Sequence, residues 1–107
     1  MARQTKKTND NNYNFELTNT VVLRGVVRKI LLESDKVVKY SIDVPSETPN
    51  GNIAHAFVNV TEFTSDGAIK EGTAVAIEGY ISTGSYTKKD GTKAYTTDIV
   101  VKDMAEI

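Results

Sequence analysis

The stretch from Val75 to Val101, VAIEGYISTGSYTKKDGTKAYTTDIVV, constrains the fold more than any other part of the chain. Val75, Ala76 and Ile77 open a strand, Ile99, Val100 and Val101 close a returning one, and Asp90-Gly91 between them accepts positive φ at low cost. The segment predicts one long β-hairpin. With Asp90-Gly91 as a two-residue loop, Lys89 faces Thr92, Lys88 faces Lys93, and Tyr86 falls opposite Tyr95 as a cross-strand aromatic pair. Between Ser82 and Thr97 the hairpin is too polar to bury. It is expected to project from the body, carrying Lys88, Lys89, Lys93, Tyr86 and Tyr95 into solvent.

The remaining chain reads as further strands. Val21 to Leu32 (VVLRGVVRKILL) is rich in β-branched residues, which lose χ1 freedom in a helix, and Gly25 adds about 1 kcal/mol against one. As a strand, its glycine marks a bulge or tight bend of the kind found at the corner of a small barrel. Arg24 and Arg28 share a face unless a bulge at Gly25 shifts one of them. After a turn at Glu33 to Lys36, Val38, Tyr40, Ile42 and Val44 alternate with Lys39, Ser41 and Asp43, which places Tyr40 in the core register. Pro45 to Ile53 has loop composition, with Asn50-Gly51 as a turn signal.

His55 to Phe63 (HAFVNVTEF) is the most informative strand. Val58 and Val60 belong in the core, with Ala56 able to join them. Period two then sends His55, Phe57, Asn59, Thr61 and Phe63 to the other face. Phe57 and Phe63, roughly 20 Å apart at strand rise, need a ligand or another layer over them. Unpaired bases would cover them at about 1–3 kcal/mol per stacked base; the N-terminal tail, a neighbouring loop or a second subunit would also serve. Thr64 to Gly72 allows one helical turn at most, and no longer helical stripe occurs anywhere. About five strands with turns between them, in a domain of this size, point to a small closed barrel.

Composition narrows the function. The chain has 107 residues, one domain's length, and no cysteine, so it has neither a disulfide framework nor a thiolate site. Met1 to Asn14 is polar and aperiodic and is expected to be a flexible N-terminal tail, with Arg3, Lys6 and Lys7 able to touch phosphates; residues 15–107 form the folded domain. No signal-type or membrane-length apolar run is present, so a cytoplasmic protein is expected. Thirteen basic against fourteen acidic residues give a net charge of −1, so a nucleic-acid partner would have to be held by local charge. His55 is the only histidine, and no Walker or dinucleotide motif occurs. No catalytic site, metal site, cofactor or small-molecule substrate is expected.

Several segments carry a family resemblance. Val21-Val22-Leu23-Arg24-Gly25 after Asn19-Thr20 resembles the opening strand of bacterial single-stranded DNA-binding proteins of the OB-fold type. Tyr40-Ser41-Ile42-Asp43-Val44 is similar to their second strand, and Phe57-Val58-Asn59-Val60-Thr61-Glu62-Phe63 to their third. Lys70 to Val101 matches best: a Lys/Arg-Gly-type start, an apolar strand ending in Glu78-Gly79, then an arm with an aromatic, a Gly turn and Tyr95-Thr96-Thr97-Asp98 leading into apolar residues. The resemblance covers roughly residues 19–107. It implies an all-β, five-stranded OB-fold barrel with a long hairpin projecting between the fourth and fifth strands.

By the same resemblance, bases stack on Phe57, Phe63 and Tyr86, with Asn59 and Tyr95 near them, and Arg24, Arg28, Lys88, Lys89 and Lys93 hold phosphates. Ser82, Gly84 and Ser85 stand where relatives often carry arginine or lysine, which implies weaker, more salt-sensitive binding. Between Phe63 and Gly72 the chain is shorter than the family's helical segment, so little or no capping helix is expected. The sequence shows no Gly/Pro/Gln-rich linker or acidic tip like that of relatives, so either an accessory, phage or mobile-element version is expected or partners that dock elsewhere. The implied function is non-specific binding and protection of single-stranded DNA, or RNA, by a dimer or tetramer in replication, repair or recombination. The alternative is an OB-fold assembly module of the primosomal accessory type, with its aromatics covered by protein. Neither class is an enzyme.

Overall fold

The computed structural model describes residues 12–107. Five strands follow in order: β1 (Val21–Glu33), β2 (Val37–Glu47), β3 (Ile53–Phe63), β4 (Ala74–Thr87) and β5 (Lys93–Glu106). They close into a barrel of order β1-β2-β3-β5-β4. All pairings are antiparallel except β3 with β5, which meet in parallel at Val60↔Ile99 and Thr61↔Val100. This is the OB-fold barrel that the sequence implies, and no helix occurs among the described residues. The expected tail lies outside the described residues up to residue 11; residues 12–20 enter β1 without strand structure. Asn19 anchors that entry, its amide donating to the Ile81 carbonyl at 2.9 Å and its carbonyl accepting from Ile81 N–H at 2.8 Å.

Alternation builds the core. Val38, Tyr40 and Ile42 of β2 point inward with Val60 of β3, Val27 of β1, and Val75 and Ile77 of β4. Val58 packs against this cluster, but Ala56 is exposed rather than buried. The reason is length: beyond Asp43 the β2–β3 hairpin runs past the last rung that β1 makes with β2, leaving nothing to cover it. The same overhang corrects the expected loop at Pro45 to Ile53. Pro45 belongs to β2, opposite His55. Its missing N–H breaks no ladder there, because that end of β2 has β3 on one side only. The loop proper is residues 48–52.

Two glycines allow backbones to cross. A Cβ at Gly25 would lie 2.8 Å from Ile42 Cγ2 and still closer to the Asp43 carbonyl oxygen, so β1 passes over β2 only without one. Of the bulge or tight bend expected at Gly25, no bulge falls there; the irregularities of β1 lie between Val27 and Lys29 and between Ile30 and Leu32. At Gly79, beside the break in the β4–β5 register, a Cβ would strike the Val100 carbonyl.

The barrel end that a helix would cap is instead closed by an irregular segment. Tyr40, fully buried, accepts a hydrogen bond from Ile69 N–H at 2.8 Å, and Glu33 Oε2 accepts from Ala68 N–H at 3.1 Å. Ala68 and Ile69 thereby pack on the core. Burial pushes the Glu62 carboxyl above its ordinary value, against the opposing hydrogen bond with the Tyr40 hydroxyl.

Two outcomes are expected. Gly79→Ala should lower unfolding stability by about 2–3 kcal/mol, since relief of the clash needs backbone movement. Gly84→Ala, whose nearest atom would be Thr96 Oγ1 at 3.4 Å, should stay within about 1 kcal/mol of the parent. Urea unfolding followed by circular dichroism compares them. For Glu62, a pKa raised on folding means that the native state binds the proton more tightly than the unfolded chain. Its unfavourable contribution is therefore absent in acid, grows as pH rises through the unfolded pKa, and is complete above the folded one. Glu62→Gln should melt higher than the parent near neutral pH, and the gap should close below the ordinary carboxylate range.

Candidate nucleic-acid interface

The outward face of the barrel follows from register. Along β3, Phe57, Asn59, Thr61 and Phe63 alternate with the inward Val58 and Val60, as period two requires. Phe57 is 60% exposed and Phe63 70%. Their β2 partners are Asp43, Ser41, Lys39 and Val37 in turn. Thr61 faces outward yet is buried, flanked in the sheet by Lys39 and Val100, both larger.

One end of this face is already organised. Alternation from the inward Val27 puts Arg28 on the outer surface, where its Cζ sits 4.6 Å from the centre of the Phe57 ring. Its Nε donates to Ser41 Oγ at 3.2 Å, and Ser41 is buried beneath it. The guanidinium is thus held over one face of an exposed aromatic. Asp43, next along β2, meets His55 Nδ1 at 2.8 Å through Oδ1. Sequence reasoning named Arg28, Phe57 and Asn59 but missed Ser41 and the Asp43–His55 pair. Ser41 was visible as a polar member of an alternating strand. The Asp43–His55 pair depends on the β2–β3 register, which no local pattern specifies.

Arg24 stands apart from that cluster. It lies on the stretch of β1 that pairs with β4, opposite Ala76, whereas Arg28 lies on the stretch that pairs with β2.

The arm differs from expectation by one residue. Gly91 N–H donates to the Lys88 carbonyl at 3.0 Å and Lys88 N–H to the Thr92 carbonyl at 2.8 Å, with Gly91 at φ 88°. This is a three-residue loop with a bulged glycine, not a two-residue turn. Hydrogen bonds from Thr92 N–H and Oγ1 to Asp90 Oδ1 brace it and hold the Asp90 carboxyl below its usual value. Consequently Thr87 pairs with Lys93, Tyr86 with Ala94, and Ser85 with Tyr95. Lys88 faces Thr92 rather than Lys93. Tyr86 and Tyr95 are not a cross-strand pair, because a slip of one residue sends them to opposite faces.

Counting back along β5 from Val100, which shares its face with Thr61, places Asp98, Thr96 and Ala94 on the outer face. Tyr86, opposite Ala94, shares that face with Phe57 and Phe63. Tyr95, 74% exposed, occupies the other side of the arm, and Lys93 goes with it. Lys88 and Lys89 are exposed at the tip. The structure therefore brings Phe57, Asn59, Phe63, Tyr86 and Arg28 onto one surface and sets Tyr95 and Lys93 off it, while Arg24 faces outward with Arg28 but further along β1, beside β4.

A closed five-stranded barrel of order β1-β2-β3-β5-β4, with outward aromatics on its third strand and on its arm, is an OB-fold. The model of the Single-strand binding protein family matches residues 15–107, and the chain belongs to that family. A single-stranded DNA-binding protein of Clostridium perfringens is 53% identical over 36 residues, a match spanning 34% of this chain and 24% of that one. The fold is shared with two solved structures. A mitochondrial single-stranded DNA-binding protein of S. cerevisiae superposes with a TM-score of 0.59 at 20% identity, over 85% of this chain and 97% of its own. A small single-stranded DNA-binding protein of Streptomyces coelicolor gives 0.62 at 12% identity, over 85% and 96%.

Proposed function

We propose that this protein binds and protects single-stranded DNA, stacking bases on Phe57, Phe63 and Tyr86 and holding phosphates with Arg28 and the arm lysines. The observation that carries the reading is Arg28 lying over Phe57, with the other face of the ring left to solvent. One side chain pair there offers both a stacking platform and a cation. Such platforms tolerate any base, since every base has a π-face. Family membership and the names of the relatives support the same partner. Replication, repair or recombination is the setting that this activity fits, and a dimer or tetramer the form. Val22 on β1, 75% exposed, supports self-association. No catalytic step is assigned.

A second reading, a protein assembly module, draws on the net charge of −1 and on the sparse cations of the outer face. Fluorescence anisotropy of a labelled thymidine oligonucleotide of about 35 nucleotides separates the two, with a duplex control at several salt concentrations. Single-strand binding that falls with salt, and that Phe57→Ala/Phe63→Ala weakens by about 30-fold or more, is the expected result. Absence of binding at low salt would leave the assembly reading. The faces of the arm make a further prediction: Tyr86→Ala should cost about 5-fold or more in affinity, and Tyr95→Ala distinctly less.

A further inference from the structure

Three adjoining depressions, of about 360, 310 and 220 Å3, run along the outer face, and Asp98 lines all of them. The first also takes in Phe57 and Asn59, the second Phe63, and the third Asn59 and Thr61 between them. Because Val60 pairs in parallel with Ile99, the residues preceding each, Asn59 and Asp98, stand abreast on neighbouring strands. Asp98 is half-buried, and no lysine or arginine nitrogen lies within 4.0 Å of its carboxylate among the described residues. Lys39 lines the second and third depressions with it but makes no ion pair with it, which leaves both carboxylate oxygens of Asp98 able to accept from a donor on an approaching base.

We infer that Asp98, with Asn59 beside it, reads the Watson–Crick edge of a base lying between the two phenylalanines, and favours guanine. The inference rests on the single-strand reading above. A carboxylate is an acceptor only. Guanine presents N1–H and N2–H side by side, matching its two oxygens, with O6 adjacent for the Asn59 amide. Cytosine and adenine present one amino group each. Thymine presents N3–H between two carbonyl oxygens, whose negative ends would face the anion. The groove therefore ranks guanine first and thymine last, grading a binding mode that stacking alone would leave indifferent to sequence.

Competition anisotropy tests this with the full chain. A labelled all-thymine strand is displaced by unlabelled strands of equal length, one all-thymine and one with isolated guanines spaced along it, in lithium buffer to prevent guanine self-association. The guanine-bearing competitor should act at about fivefold lower concentration. Asp98→Asn and Asp98→Ala should both bring that ratio towards one and bind the all-thymine strand more tightly, because the repelling charge is gone. A parent ratio of one overturns the inference whatever the variants do, as does a preference that survives in both variants. Failure of the label to bind at all would instead remove the single-strand reading, and the base preference with it.

Discussion

Closure of the barrel rests on the short parallel contact in which Val60 pairs with Ile99 and Thr61 with Val100. The β1–β2, β2–β3 and β4–β5 neighbours are antiparallel hairpins; β1–β4 and this contact join strands far apart in sequence, and this one has the shorter register. It sets the parity of β5 against β3. Because Thr61 faces outward, Val100 must as well, and every second residue back along β5 follows. That one constraint puts Asp98 beside Asn59 and, through the β4–β5 ladder, Tyr86 on the face of the phenylalanines. A slip of one residue there would send Tyr86 outward on the wrong side and turn Ile99 out of the core.

Period two carried most of what was legible in the sequence. Val58 and Val60 against Phe57 and Phe63, and Tyr40 and Ile42 against Lys39 and Ser41, each have only one register that buries the aliphatic set. The burial of Tyr40 and the exposure of both phenylalanines follow from that alone. What escaped was register between segments. Asp90-Gly91 reads as a two-residue turn, and Asn50-Gly51 as a turn signal within a longer loop. In the structure each glycine, at φ 88° and 84°, is instead the bulged third residue of a loop, with the same pair of backbone hydrogen bonds in the two hairpins. A dipeptide signals that a turn occurs but not how many residues it spans, and one residue decides whether Tyr86 and Tyr95 meet. Asp98 likewise gives no local sign of its place: its position beside Asn59 exists only once β5 is docked on β3.

The missing helix has a structural counterpart. With too few residues between β3 and β4 for a helix, the barrel end would expose the tops of Val38, Tyr40 and Val60. Tyr40 resolves this by projecting its hydroxyl to the Ile69 amide, which seats Ala68 and Ile69 on the core. An extended segment donates and accepts fewer internal hydrogen bonds than a helix, so side chains must supply partners. Glu33 does so for Ala68, and Glu71 Oε2 accepts from Ile30 N–H at 3.0 Å where β1 is irregular. The raised pKa of Glu62 marks the cost of this arrangement, since a carboxylate is drawn towards the space that the helix would have filled.

Stacking on three aromatics at about 1–3 kcal/mol per base sums to roughly 3–9 kcal/mol. Association alone costs about 4–15 kcal/mol in lost freedom, so a single barrel relying on its aromatics would bind weakly. In the proposed mode counterion release makes up the difference, from Arg28 beside Phe57, Lys39 opposite Thr61 between the two phenylalanines, and Lys88 and Lys89 at the arm tip. On that proposal, phosphates follow this rim of cations while bases lie on the aromatics. The rim is thinly populated for one chain. Repeating it on neighbouring copies turns each further contact into an intramolecular one, which raises avidity without any new chemistry. In the proposed mode the sparse cations thus favour self-association, as, on separate grounds, does the exposed β1 valine.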